Sequence, residues 1–180
     1  MVVHDGTHNP QSRDCTSPFI IPRNGHIHAS CASLAGIGVV LTGQSGCGKS
    51  SLLLRLIDSG FDLVGDDRLV IRDLHASAPS ALAGIIEIRG LGLVRMPYRA
   101  TARLGLHVHL SIPSRPVRLP EKTVEPDTGL WQMTLNGFHA DAVAIIRTAL
   151  RCRLGDLTLL CGLNGGNVSC LPLPSGSEEG

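Results

Sequence analysis

Aromatic side chains are scarce in this 180-residue chain, which holds one Trp, one Tyr and three Phe. A core of this size must therefore be built from Leu, Val, Ile and Ala, and the length suits one domain with a possible tail. Charge of one sign is lacking too. Sixteen Lys and Arg face fifteen Asp and Glu, and a net charge of +1 excludes a nucleic-acid partner held by charge alone. No apolar run approaches the ~20 residues that span a membrane. Residues 1–10 lack the basic start and apolar stretch of a signal peptide. The six cysteines form no Cys-x-x-Cys pair, so they are expected to be reduced thiols in a cytoplasmic protein, some of them small core residues.

What is present is a phosphate-loop pattern: Gly43-Gln44-Ser45-Gly46-Cys47-Gly48-Lys49-Ser50, followed by Ser51. Its glycines let several backbone N–H groups converge on one anion, and the next helix adds its positive N-terminal end. Lys49 can reach the β- and γ-phosphates, and the Ser50 hydroxyl can ligate Mg²⁺. The flanks have the required order. Val39-Val40-Leu41-Thr42 reads as a buried strand, Leu52, Leu53, Leu56 and Ile57 share a helical face, and Gly60 stops that helix.

Taken in order, residues 1–18 are polar and expected to form a flexible leader, 19–155 the main folded domain, and 156–180 a loosely ordered tail. His26 to Leu34 reads as one strand, paired in a hairpin with Val39–Thr42 across Ala35-Gly36-Ile37-Gly38. Strands are also expected at Phe61–Val64, Arg68–Arg72, Gly84–Gly92 and Trp131–Leu135, with a helix at Asp141–Leu150. Leu104–Ile112 reads as an edge strand, and the four prolines between 113 and 127 mark a charged loop. Leu157–Cys161 is at most a small further piece.

Two carboxylates, Asp66 and Asp67, follow the first strand after the phosphate-loop helix. Ligands of open α/β sheets gather at carboxyl ends of strands, and alternation sends adjacent side chains in different directions. By pattern alone an Asp-Asp turn is equally a solvated corner. Glu87 and Arg89 share a strand face, suiting Mg²⁺ and phosphate or, as readily, a surface ion pair. The pairs His26/His28 and His107/His109 lack the companion Cys or carboxylate ligands that zinc requires.

Together these stretches resemble the bacterial HPr kinase/phosphorylase family, in the short form found in alphaproteobacteria. The resemblance rests on Ile27-His28-Ala29-Ser30, the phosphate loop, Leu63-Val64-Gly65-Asp66-Asp67-Arg68, and Gly84-Ile85-Ile86-Glu87-Ile88-Arg89-Gly90-Leu91-Gly92-Leu93-Val94. It implies an α/β phosphate-loop kinase domain of the HPr kinase and phosphoenolpyruvate-carboxykinase-like type, with a mixed sheet and flanking helices. It further implies an ATP- and Mg²⁺-dependent protein serine kinase/phosphorylase acting on the phosphocarrier HPr or a related carrier, assembled as a hexamer. Asp67 would then be the acid–base group, with Asp66, His28 and Arg89 around it. Gly43, Gln44, Ser45, Gly46, Cys47, Gly48, Lys49, Ser50 and Ser51 would hold the nucleotide, and Ser50 and Glu87 the metal. The later Pro-Val-x-Pro-Gly-Arg-type segment of longer members is not found here. A non-catalytic ATP-sensing module and a small-molecule kinase on the same loop remain as alternatives.

Overall fold

The computed structural model describes residues 20–111, 118–121 and 123–165. The expected leader and the last part of the expected tail lie outside the described residues, as does part of the proline-rich loop.

Among the described residues, ten strands and two helices carry the fold. They run β1 (Asn24–Ile27), β2 (Ser30–Leu34), β3 (Ile37–Thr42), α1 (Lys49–Asp58), β4 (Asp62–Gly65), β5 (Leu69–Arg72) and β6 (His75–Ser77). After a 3₁₀ turn at Ser80–Leu82 come β7 (Ile85–Ile88), β8 (Gly92–Arg95), β9 (Ala102–Leu110), β10 (Trp131–Leu135) and α2 (Ala142–Leu154). Eight strands form one mixed sheet, ordered β1-β5-β6-β9-β3-β2-β4 with β10 on β9; β7 and β8 form a separate hairpin.

Local chemistry explains most boundaries. Ala35 and Gly36 both take positive φ (49° and 82°), the backbone a tight two-residue hairpin demands between β2 and β3. The expected single strand His26–Leu34 is broken at His28-Ala29, and its halves pair with different neighbours, β1 with β5 and β2 with β3 and β4. Helix α2 runs past the expected Leu150 to Leu154, where Gly155 closes it in the left-handed conformation (φ 89°).

One expectation is corrected. Leu104–Ile112 is no edge: β9 lies inside the sheet, parallel to β3 on one side and, on the other, against β6 and then parallel β10. Its apolar residues fall at every second position, 104, 106, 108 and 110, yet they do not face one core. The β3 register slips between Gly38↔Leu104 and Val39↔Leu106, so Gly105 is an extra residue and the strand changes face there. Ala102 and Leu104 consequently join one core, while Leu106, Val108 and Leu110 join the other. A Cβ on Gly105 would come within 2.5 Å of Ile37 Cγ2, so glycine is required at the slip.

Those two cores cover the two faces of the sheet. On one, Leu52, Leu53 and Leu56 of α1 and Ala142, Ile146 and Leu150 of α2 pack on Val39, Leu41, Leu106, Val108 and Leu110. On the other, Val40, Val64, Leu69, Ile71 and Leu104 pack around Ile21 and Cys31. Cys31 is fully buried, and burial pushes its thiol well above the usual range, so it serves as a core hydrophobe. Cys31, Cys47, Cys152 and Cys161 are all free thiols. No helix among the described residues is long and apolar enough to cross a membrane.

Strand directions then place the site. β4 runs antiparallel to β2, and β2 antiparallel to β3, so β3 and β4 point the same way, as do β9 and β10. The segments that follow β3, β4, β9 and β10 therefore leave the sheet at one edge, where β2 also begins.

Candidate active site

The phosphate loop leaves β3 at that edge. Gly43, Gly46 and Gly48 all have positive φ (138°, 82° and 95°), which curls the backbone around one centre. A Cβ on Gly43 would lie 2.6 Å from Leu110 O and 2.7 Å from Cys47 Sγ, so the loop seats only glycine there. Lys49, the first residue of α1, is 8% exposed, and its Nζ donates to Gly43 O (2.9 Å) and Gln44 O (3.1 Å). Its positive charge is thereby held at the loop's centre.

Asp66 and Asp67 leave β4 at the same edge and part company. Asp66 is 7% exposed and its Oδ1 accepts from Ser30 Oγ (2.6 Å), Ser50 Oγ (3.2 Å) and the Asp67 N–H (3.0 Å). Asp67 takes positive φ (66°), turns outward, and sets its Oδ1 3.2 Å from His28 Nδ1, both side chains being more than half exposed. His28 arrives there because the chain breaks between β1 and β2. A buried carboxylate thus touches the phosphate-loop serine while its neighbour faces solvent with a histidine beside it.

The donor set suits magnesium. Ser50 Oγ and Asp66 Oδ1 are hard oxygens in contact, and Mg²⁺ is commonly held by one or two protein oxygens completed by substrate phosphates. No group of three or more His, Cys, Asp or Glu that could cage a metal occurs among the described residues. Glu87 and Arg89 sit elsewhere: both are exposed on the β7–β8 hairpin and, among the described residues, make no hydrogen bond or ion pair with the loop. Asp66 is the carboxylate in direct contact with Ser50.

Thr42, the last residue of β3, carries a second network. Its Oγ1 lies 2.7 Å from His107 Nε2 and 3.3 Å from His109 Nδ1. His107 is 3% exposed; burial, and secondarily the neighbouring His109, lowers its pKa from 6.5 to about 4. Nothing in the residue spacing marks this strand as central, so the burial of His107 could not be read from it. The sign of the linkage is fixed: between pH 6.5 and about 4 the unfolded chain binds more protons, so stability falls as pH falls through that window. The full loss, about 3 kcal/mol, is reached below pH 4. Urea unfolding at pH 7 and pH 4.5 is expected to show most of that drop in the wild type and a smaller one in His107→Gln.

Sequence comparison bears on this geometry directly. Residues 21–103 match the protein family described as HPr Serine kinase C-terminal domain. Through this stretch the chain is similar to HPr kinase/phosphorylase. Proteins of that name from Clostridium tetani and Geobacillus thermodenitrificans are 39% and 41% identical to it over 75 residues. Those alignments take in 39% of this chain and about a quarter of each relative (25% and 24%). A solved structure described as the Hpr(Ser) kinase/phosphatase from Coxiella burnetii superimposes with a TM-score of 0.60 at 24% identity. That match covers 73% of this chain and 97% of the other, and it supports the α/β phosphate-loop kinase fold. The HPr kinase match contains His28, the phosphate loop, Asp66, Asp67, Glu87 and Arg89. It stops within β9 and leaves out β10 and α2.

Ser30 was not among the expected site residues. Its fully buried hydroxyl donates to Asp66, two residues after His28 in the Ile27–Ser30 stretch, so one short segment serves both carboxylates.

Proposed function

We propose that this chain is the catalytic domain of an ATP- and Mg²⁺-dependent protein serine kinase/phosphorylase acting on the phosphocarrier HPr or a related carrier. Through that carrier it regulates carbohydrate metabolism by way of the phosphotransferase system. The observation that carries the reading is the split acidic pair, with Asp66 on the phosphate-loop Ser50 and Asp67 outward beside His28.

Each residue has a derivable task. The loop N–H groups and Lys49 bind and orient the triphosphate. Ser50 and Asp66 would hold Mg²⁺, which supplies neutralisation of the charge developing on the phosphates. Asp67, exposed where a protein can approach, takes the proton from the target serine hydroxyl as its oxygen bonds to the γ-phosphorus and the bond to the β-phosphate oxygen breaks. His28 orients that carboxylate. In reverse, phosphate attacks the phosphoserine, the serine oxygen leaves with the proton returned by Asp67, and pyrophosphate forms.

The test is mass spectrometry of purified HPr incubated with this protein, Mg²⁺ and ATP, then with excess phosphate. HPr is expected to gain one phosphate and then lose it. Unmodified HPr in the presence of demonstrable ATP binding overturns the substrate assignment.

A further inference from the structure

The phosphate loop accounts for one end of a nucleotide. The sheet order says where the other end goes. Along the site edge the strands run β4-β2-β3-β9-β10, with the acidic pair after β4 on one side of the phosphate loop and the 136–141 turn after β10 on the other. A triphosphate whose γ end lies toward Asp67 must lead its nucleoside toward that turn.

The turn offers an aromatic face. A Cβ on Gly48 would lie 3.1 Å from both Cε1 and Cζ of Phe138, so the ring stands directly at the loop residue before Lys49. Yet Phe138 is 59% exposed, whereas Phe61 and Trp131 are 4% and 9% exposed, so core packing does not account for its position. It is also held firmly. Asn136 Oδ1 accepts from the Phe138 N–H at 3.0 Å, and Arg55 of α1 donates to His139 O (3.0 Å) and to Gly137 O. Because Arg55 belongs to the helix that begins at the phosphate loop, ring and loop are fixed to one another. Such pre-ordering lowers the entropic cost of binding.

We propose that Phe138 is the platform on which the nucleotide base stacks. The inference rests on the phosphate-loop reading above and extends it to the base. A π-face is recognised by any nucleobase, and removal of one stacking aromatic typically weakens binding by about ten- to a hundredfold.

The experiment compares Mg²⁺-ATP with inorganic tripolyphosphate, which has the phosphates and no base, by calorimetry on the wild type, Phe138→Ala and Phe138→Tyr. The expected result is a ten- to hundredfold loss of ATP affinity in Phe138→Ala, tripolyphosphate affinity within about twofold of wild type, and near-full ATP affinity in Phe138→Tyr. Unchanged ATP affinity in Phe138→Ala, or equal weakening of both ligands, overturns the platform and leaves the phosphate loop standing. Failure of the wild type to bind either ligand overturns both.

Discussion

Asp67→Asn is expected to lower the rate of HPr phosphorylation by about 10²- to 10⁴-fold while leaving ATP affinity and folding nearly unchanged. The size is that of a lost general base, since Asn keeps the shape of Asp and cannot accept the proton. The folding part follows from the position. Asp67 sits at φ 66°, a region Asn adopts as readily as Asp, and its side chain is 65% exposed, with His28 as its partner. Its backbone N–H continues to donate to Asp66. Steady-state phosphorylation of HPr and ATP titration of the same preparation check the two halves separately. A variant that retains wild-type rate removes Asp67 from the chemistry, and a variant that loses turnover but keeps nucleotide-dependent control of a partner favours the sensing-module alternative.

How legible this site was in the sequence depended on how local each part is. The phosphate loop and α1 were legible because strand, glycine turn and helix are consecutive, and each residue type has its own reason to be there. The acidic pair was legible as a pair, whereas its division into a buried and an exposed partner comes from the left-handed backbone of Asp67 (φ 66°) just beyond β4. What could not be read depended on distant pairing. Apolar residues at 104, 106, 108 and 110 alternate as on a strand with one open face, so a central strand resembled an edge; the slip at Gly105 that divides them between the two cores depends on the pairing with β3. Phe138 stands alone in an Asn-Gly-Phe-His turn with no pattern around it. It acquires meaning only because β10 pairs with β9 and brings the turn to Gly48. Glu87 is suited to Mg²⁺ by type, and its side chain is exposed on β7.

The contact between Ser50 and Asp66 makes a sharp prediction. Asp66→Asn is expected to lower phosphorylation by about 10²- to 10³-fold at low millimolar Mg²⁺, with part of the activity returning as Mg²⁺ is raised. The amide oxygen of Asn can still accept from Ser30 Oγ, Ser50 Oγ and the Asp67 N–H, so the local hydrogen bonds survive, and what is lost is the negative charge beside Ser50. Asp66→Ala separates that charge effect from the structural one. It leaves the fully buried Ser30 hydroxyl without its acceptor, which costs about 1–3 kcal/mol of stability in addition to the loss of activity. The two variants should therefore share a large drop in turnover and differ in urea midpoint, with Asn near wild type and Ala clearly lower. An Asp66→Asn protein with wild-type turnover and unchanged Mg²⁺ dependence would show that the buried carboxylate only braces the start of β2 against α1. The metal would then have to be sought among residues of the β7–β8 hairpin, Glu87 first, brought to the loop by a movement of that hairpin.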